Sequence, residues 1–452
     1  MSAHALPTAE QIGSSEHGMS FLLSALMALV AAEQLFALPL SEAPGLSVEN
    51  ALLYVMLSAL IFKMALQRSV RFDLRALHVC FIVLIAYAVL SLIVSALVVQ
   101  YPGYRTLKYI ISIKARLVDQ FVFFAVFFYG LHQSRSAYGV LKVLLMMVVL
   151  MNVVALLDGF GYMEAPGLIE REDGRAQGVM GESNQSAAFI ATFLPALVGM
   201  TLMSGGIARL VWFGGLLVCA AAIFISASRG GLVAAFVSAI WGLACFRKYV
   251  SVRSIATAAG MALWVLVIAL PLVMSQYGAL LESRFVGDTS SVDIVDVSSG
   301  RLDIWANLLA TMAQVPLTFL SGYGWEVYDW MPFRLSPHNH YLALWFDLGL
   351  VGLLCGISML VIAARAAIKA VPLLSDPYRS VVMSFAIGTV AIATATFFVD
   401  LYTPWLYFWA YAGLVMRIVV NAGSPPQTVI ETKPAAVPLS KHDSFGWSAN
   451  TR

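Results

Sequence analysis

Apolar runs close to the ~20 residues that carry a helix across a hydrocarbon layer recur along this entire chain. They fall at about 20–38, 49–65, 77–98, 117–131, 138–157, 185–204, 208–226, 230–247, 254–275, 341–363, 379–399 and 402–420. One soluble core cannot take in twelve such segments, and charged residues make up only 12% of the chain, about half the share of a water-soluble domain. The spacing predicts an all-α polytopic membrane protein of about 12 transmembrane helices. Residues 1–19 read as a polar N-terminal segment, 20–420 as the membrane domain and 421–452 as a disordered tail, in which Pro425, Pro426, Pro434 and Pro438 stand among Ser, Thr and Lys. The first helix follows a stretch with Glu10 and Glu16 and no basic region, so it reads as an uncleaved anchor.

Placing the N-terminus in the cytoplasm puts Lys63, Arg68, Arg71 and Arg75 in the first inner connection, and makes every later inner connection basic, through Arg135, Arg209, Arg247, Lys248, Arg253, Arg365, Lys369 and Arg379. That is the positive-inside pattern, with both termini cytoplasmic. The opposite face nevertheless holds ten cations: Arg105, Lys108, Lys114 and Arg116, then Arg171 and Arg175, then Arg229, and then Arg284, Arg301 and Arg334 in a long polar loop at 276–340. Translocated cations oppose insertion, so their retention points to a negatively charged group at the outer face or, for 105–116, to lipid headgroups. A net charge of +2 spread over many loops offers nucleic acid no surface. Cys80, Cys219, Cys245 and Cys355 all fall in predicted helices, where a thiol behaves as a small apolar side chain.

Three motifs carry chemistry. Ser226-Ala227-Ser228-Arg229-Gly230-Gly231 puts Arg229 at the outward N-terminus of a membrane helix, where the dipole is already positive. An anion resolves that conflict: free N–H groups, serine hydroxyls, two glycines and a guanidinium suit a pyrophosphate. The alternative is an arginine snorkelling to water beside a small-residue helix contact. Gly300-Arg301-Leu302-Asp303-Ile304-Trp305 reads as the start of an amphipathic helix of about fifteen residues, closed by Pro316. Leu302, Trp305, Leu308, Leu309 and Met312 form its stripe, and it is expected on the membrane surface. Arg301 again stands at a positive helix end; stacking on Trp305 is the structural alternative.

His338-Asn339-His340-Tyr341-Leu342 leads into the tenth helix. An imidazole of pKa ~6.5 can take a hydroxyl proton, or simply cap the helix. Asp347, seven residues past His340 on the same face, is a candidate orienting carboxylate. No third and fourth ligands cluster near the two histidines in sequence, so no metal is expected.

In this order the elements resemble the bacterial O-antigen ligase and polymerase superfamily, membrane glycosyltransferases that use polyprenyl-pyrophosphate-linked glycans. Gly178-Val179-Met180-Gly181-Glu182-Ser183-Asn184 is similar to the family's Gly-x-x-x-x-Pro-Asn turn, with Ser183 in place of proline. Ser226-Ala227-Ser228-Arg229-Gly230 resembles its Ser-x-Ser-Arg-Gly helix start, and Gly300-Arg301 with Trp305 its Gly-Arg-x-x-x-Trp element. Pro316, Gly322-Tyr323-Gly324 and His338-Asn339-x-Tyr341-Leu342 complete the pattern over roughly residues 175–360.

The resemblance implies an inverting transfer without metal or other cofactor, from an undecaprenyl-pyrophosphate-linked glycan to a glycan or lipid A-core acceptor. It places the protein in the inner membrane, its carrier's tail among the membrane lipids and its loop 276–340 in the periplasm. By the same resemblance Arg229 and Arg301 bind pyrophosphate and His338 is catalytic. Asn184, His340, Asp347, Arg105 and Arg116 are supporting candidates. A ligase is the first reading, and a polymerase of O-antigen or exopolysaccharide units stands beside it. From another class, Glu33 and Asp347 inside helices fit a proton-coupled exporter of lipid-linked sugars.

Overall fold

The computed structural model describes residues 9–36, 47–67, 73–165, 178–285, 300–330 and 336–423, which contain no strand. The chain is an all-α membrane protein. Its long helices are α1 (Ala9–Phe36), α2 (Val48–Gln67), α3 (Arg75–Val99), α4 (106–129), α5 (Ser134–Gly159), α6 (Ser183–Met203), α7 (Gly206–Ile225), α8 (Arg229–Phe246) and α9 (Val252–Phe285). The short α10 (Arg301–Gln314) and α11 (Thr318–Ser321) precede α12 (His340–Ala370), α13 (Tyr378–Ala395) and α14 (Thr403–Gly423).

Among the described residues ten helices are long and apolar enough to cross a membrane, and α9 makes eleven if its halves Val252–Ile268 and Leu270–Glu282, bent by 53°, form one span. The difference from the twelve expected lies in α4. It is a continuous helix with a π-helical turn at Lys114–Val118, flanked by Thr106–Ile113 and Asp119–Tyr129, and Lys114, Arg116 and Asp119 lie in its middle.

The helices alternate between two polar ends, and α4 joins them. At the first end Glu16 Oε1 accepts from the backbone N–H groups of His132 and Gln133 at 3.1 and 2.7 Å. Arg417 Nε and Nη2 both donate to the Phe128 carbonyl, and Asn421 donates to that of His132. At the second end Ser228 meets Asn184, Tyr402 meets Gln185 and Arg116 pairs with Glu326. Between the ends lies an aromatic core in which Phe124, Phe128, Phe189, Tyr407, Trp409 and Tyr411 are fully buried or nearly so. The rim is the reverse of a soluble protein's. Leu97, Phe236, Leu263 and Trp264 are more than half exposed, as side chains facing lipid must be.

Two expectations about the outer loop change. The loop does not begin at 276, because α9 continues to Phe285. Val273, Tyr277 and Leu281 pack on Ala221, Ile225 and Ala227, and the Tyr277 hydroxyl donates to the Gly159 carbonyl at 2.6 Å, so the extension has an apolar partner. The amphipathic helix forms as expected over Arg301–Gln314, but Leu302 and Leu309 face outward, while Leu308 and Met312 are fully buried against Leu342 and Phe346 of α12. Leu308 and Met312 of the stripe are thus satisfied by protein, and Leu302 and Leu309 stay exposed. Arg171, Arg175, Arg334, the side chain of Arg284 and the tail beyond Gly423 lie outside the described residues.

Helix α12 is broken. Gly349 has φ 59° and ψ −157°, and the carbonyls freed there are taken by the loop before it, Tyr323 N donating to Phe346 O at 2.7 Å and Gly324 N to Asp347 O at 3.0 Å. Backbone touches backbone at this joint: a Cβ on Gly322 would collide with the Asp347 carbonyl, and one on Gly349 with that of Leu320. Non-helical backbone at this depth survives only where protein satisfies it. Helix α3 holds the other side of the same loop, Tyr87 donating to Ser321 O at 3.0 Å and Ser91 accepting from Trp325 N at 3.1 Å.

Candidate functional site

Residues 396–402, between α13 and α14, organise the second end of the bundle. The His340 backbone N–H donates to Thr396 O at 2.9 Å, and Tyr402 N to Gln185 Oε1 at 3.1 Å. Phe398 lies directly against Gly230, and Gly231 against Ala187. The two glycines of the Ser-Arg-Gly-Gly start therefore admit neighbouring helix and loop rather than a ligand. Ser228 does what the motif requires of it: its hydroxyl caps α8 by accepting from Gly231 N at 3.2 Å, worth about 1 kcal/mol, and donates to Asn184 Oδ1 at 2.9 Å. Arg229, half-buried, follows at the first position of α8.

The second arginine motif and the histidine motif are tied together. Trp305, one turn into α10, donates its indole N–H to the Pro337 carbonyl at 2.7 Å. The next residue, His338, is held at φ 49°, a left-handed conformation that a residue with a Cβ adopts only when its surroundings impose it. Asn339 then caps α12, its side chain accepting from Leu342 N at 3.1 Å. The half-buried Arg301 heads the helix that pins the histidine loop.

His340 has a different partner from the one expected. Its Nδ1 donates to Asp400 Oδ1 at 2.8 Å, and Asp347 does not reach it. Seven-residue spacing put both side chains on one helix face, but the Asp347 carboxyl is engaged by the backbone of Glu326, just above the break in α12. Asp400, only 4% exposed, also accepts from the Tyr402 hydroxyl at 2.5 Å. Burial pushes its carboxyl up, yet the hydrogen bond and charge of His340, the Tyr402 hydroxyl and Arg116 together hold it below the usual carboxylate range. Tyr402 is driven up by burial and by the Asp400 charge.

Arg116 is committed within the protein. Its guanidinium pairs with Glu326 Oε1 at 2.5 Å and lies 3.8 Å from the Tyr402 ring centroid, while Ser112 donates to the same carboxylate oxygen. Lys114 is likewise paired, with Asp119 at 2.8 Å. Neither is a loose cation waiting for headgroups. Arg105, by contrast, is exposed at the start of α4. Glu33, within α1, accepts from Glu49 N at the start of α2.

Most expected site residues thus gather at one end: Asn184 beside Arg229, Arg301 joined through Trp305 to the His338 loop, and His340 linked through Asp400 and Tyr402 to Arg116. Asp400, Tyr402 and Glu326 were not singled out from sequence. The only textual signal for Asp400 is an acid in a short connection without a basic neighbour.

The O-antigen ligase family model matches residues 214–357, a span holding Arg229, Arg301, His338, His340 and Asp347, and this bears out the resemblance over that stretch. No curated protein matches the chain.

Proposed function

We propose that this chain, with an O-antigen ligase match running from α7 into α12, transfers a glycan from an undecaprenyl-pyrophosphate carrier to an acceptor hydroxyl at the periplasmic face of the inner membrane. The observation that carries the proposal is the hydrogen bond from Trp305 to Pro337, which fastens the helix headed by Arg301 to the strained His338. Arg229 and Arg301 are assigned the pyrophosphate. A sugar already bonded to diphosphate has a good leaving group, so charge stabilisation matters more than a general acid, and guanidinium groups provide it. The acceptor oxygen attacks the anomeric carbon from the face opposite the pyrophosphate, the anomeric C–O bond breaks with its electron pair going to the diphosphate, and the hydroxyl proton passes to the His338 imidazole. The configuration inverts. Ligation onto a lipid core is the first assignment.

Purified protein in lipid nanodiscs, supplied with lipid-linked glycan and acceptor, should release undecaprenyl pyrophosphate. His338→Ala should abolish the release and retain carrier binding. Gradient-dependent movement of the lipid-linked glycan without release would defeat the proposal in favour of an exporter, and a ladder of product lengths would favour a polymerase.

A further inference from the structure

A cleft opens between α3, α4, α12 and α14, beside the histidine loop and outside the arginine pair. We propose that it binds a neutral sugar ring of the acceptor; this deepens the transfer reading above and rests on it.

The first ground is a set of polar atoms left without partners. Trp325 Nε1, Asp347 Oδ1 and Trp405 Nε1 are buried and make no hydrogen bond, and all three residues line this cleft. Their exposures are 4, 5 and 6%, so bulk water does not serve them. Buried donors and acceptors are ordinarily paired, and an exception calls for a ligand or bound water. Two donors and an acceptor match hydroxyl groups, each of which both donates and accepts. His340 adds a fourth position: with Nδ1 given to Asp400, Nε2 is the ring nitrogen left for the cleft it lines.

Charge and shape narrow the ligand. Arg116 is the one Lys or Arg among the lining residues and is already paired with Glu326, while Asp347 and Asp400 both face the space. A phosphate would meet carboxylates and no free cation, whereas sugar hydroxyls donate to carboxylates. Trp325, Tyr328, Tyr402, Trp405 and Trp409 supply flat apolar rings for the C–H faces of a pyranose, the mixture of apolar wall and few placed polar groups that marks small-molecule sites. His340, two residues past His338, brings the cleft to the edge of the histidine loop. Asp400 is then a positioning residue, acting on the acceptor through His340.

Equilibrium dialysis tests binding without chemistry. Protein in nanodiscs, with no donor present, is equilibrated with labelled neutral oligosaccharide released by mild acid from the producing bacterium's surface polysaccharide, and separately with undecaprenyl pyrophosphate. Trp325→Phe and Asp347→Asn should each raise the glycan Kd and the acceptor KM by about tenfold or more. The donor KM should not rise, and Asp347→Asn, which keeps an oxygen for the Glu326 backbone, should unfold at the wild-type temperature. Arg229→Ala should show the reverse, losing the carrier and keeping the glycan. Wild-type protein that binds no glycan overturns the proposal. So do variants that bind it as wild type does, the result for a cleft holding only water, or that lose it together with thermal stability. Displacement of glycan by undecaprenol, without its diphosphate, would assign the cleft to the lipid tail and also overturn it. Glycan binding that follows the pattern without any turnover would leave the cleft standing and sink the transfer reading.

Discussion

Arg417 at the first end of the bundle and Arg116 at the second are set alike, each with its guanidinium over an aromatic ring, at 4.3 Å for Phe128 and 3.8 Å for Tyr402. Their partners differ. Arg417 gives two hydrogen bonds to one backbone carbonyl in the last turn of α4, so the charge staples one helix end to another. Arg116 is neutralised by Glu326, a side chain of the inserted loop, and the residues around it keep orphaned polar atoms. Both ends keep buried atoms without a partner, Glu16 Oε2 at the first and Trp325 Nε1, Asp347 Oδ1 and Trp405 Nε1 at the second. The difference is that the second set lines one cleft, beside a charge balanced by another side chain rather than by backbone.

Substitutions should separate the two ends. The largest effect is expected at the second, where Arg229→Ala or Arg301→Ala removes a charge-assisted contact to diphosphate and lowers turnover by two to three orders of magnitude, about 3–4 kcal/mol. A turnover per folded molecule near wild type in both variants would erase the functional side of the contrast. Next comes Gly349→Ala. A φ of 59° with ψ −157° is a region essentially reserved for glycine, and the new Cβ collides with Leu320; a loss of about 3 kcal/mol should appear in thermal unfolding.

At the first end Arg417→Met should cost about 2 kcal/mol of stability by leaving the Phe128 carbonyl without its donors. Turnover per folded molecule should not change, and a specific fall in turnover would show that the first end takes part in chemistry. The smallest effect concerns acid. Asp400 titrates below its ordinary ~3.9, so its contribution is complete above that value and fades only as the pH falls through the folded-state pKa. Melting profiles should decline on that acid side, and Asp400→Asn, with His340, Tyr402 and Arg116 still facing the site, should remove this part of the decline.

The fold was legible because lipid simplifies the code: a run of apolar residues near twenty is a helix whatever its neighbours are. The exception is α4, where Lys114 and Asp119 satisfy each other inside the helix and polar residues occupy positions that hydropathy assigns to a loop. The motif residues were legible too, since Ser228, Trp305 and Asn339 act on backbone a few residues away or on an adjoining loop. What stayed hidden was pairing across distance. Glu326 is 210 positions from Arg116 and Asp400 is 60 from His340, and no periodicity links them. The match of His340 with Asp347 failed for a physical reason: seven residues are two helical turns, about 10 Å along the axis, and each side chain has a nearer partner, Asp400 for His340 and the Glu326 backbone for Asp347.

The break at Gly349 also sets an order of assembly. The N–H groups of Tyr323 and Gly324 leave the ribosome before the carbonyls of Phe346 and Asp347 that they need, so the segment from Leu320 to Glu326 has no finished berth until α12 has been threaded beside α3. A nascent chain halted near residue 330, before His338 has been made, would hold this segment unsecured and open to proteolysis, and the second end of the bundle would close only once α12 and the 396–402 connection have emerged.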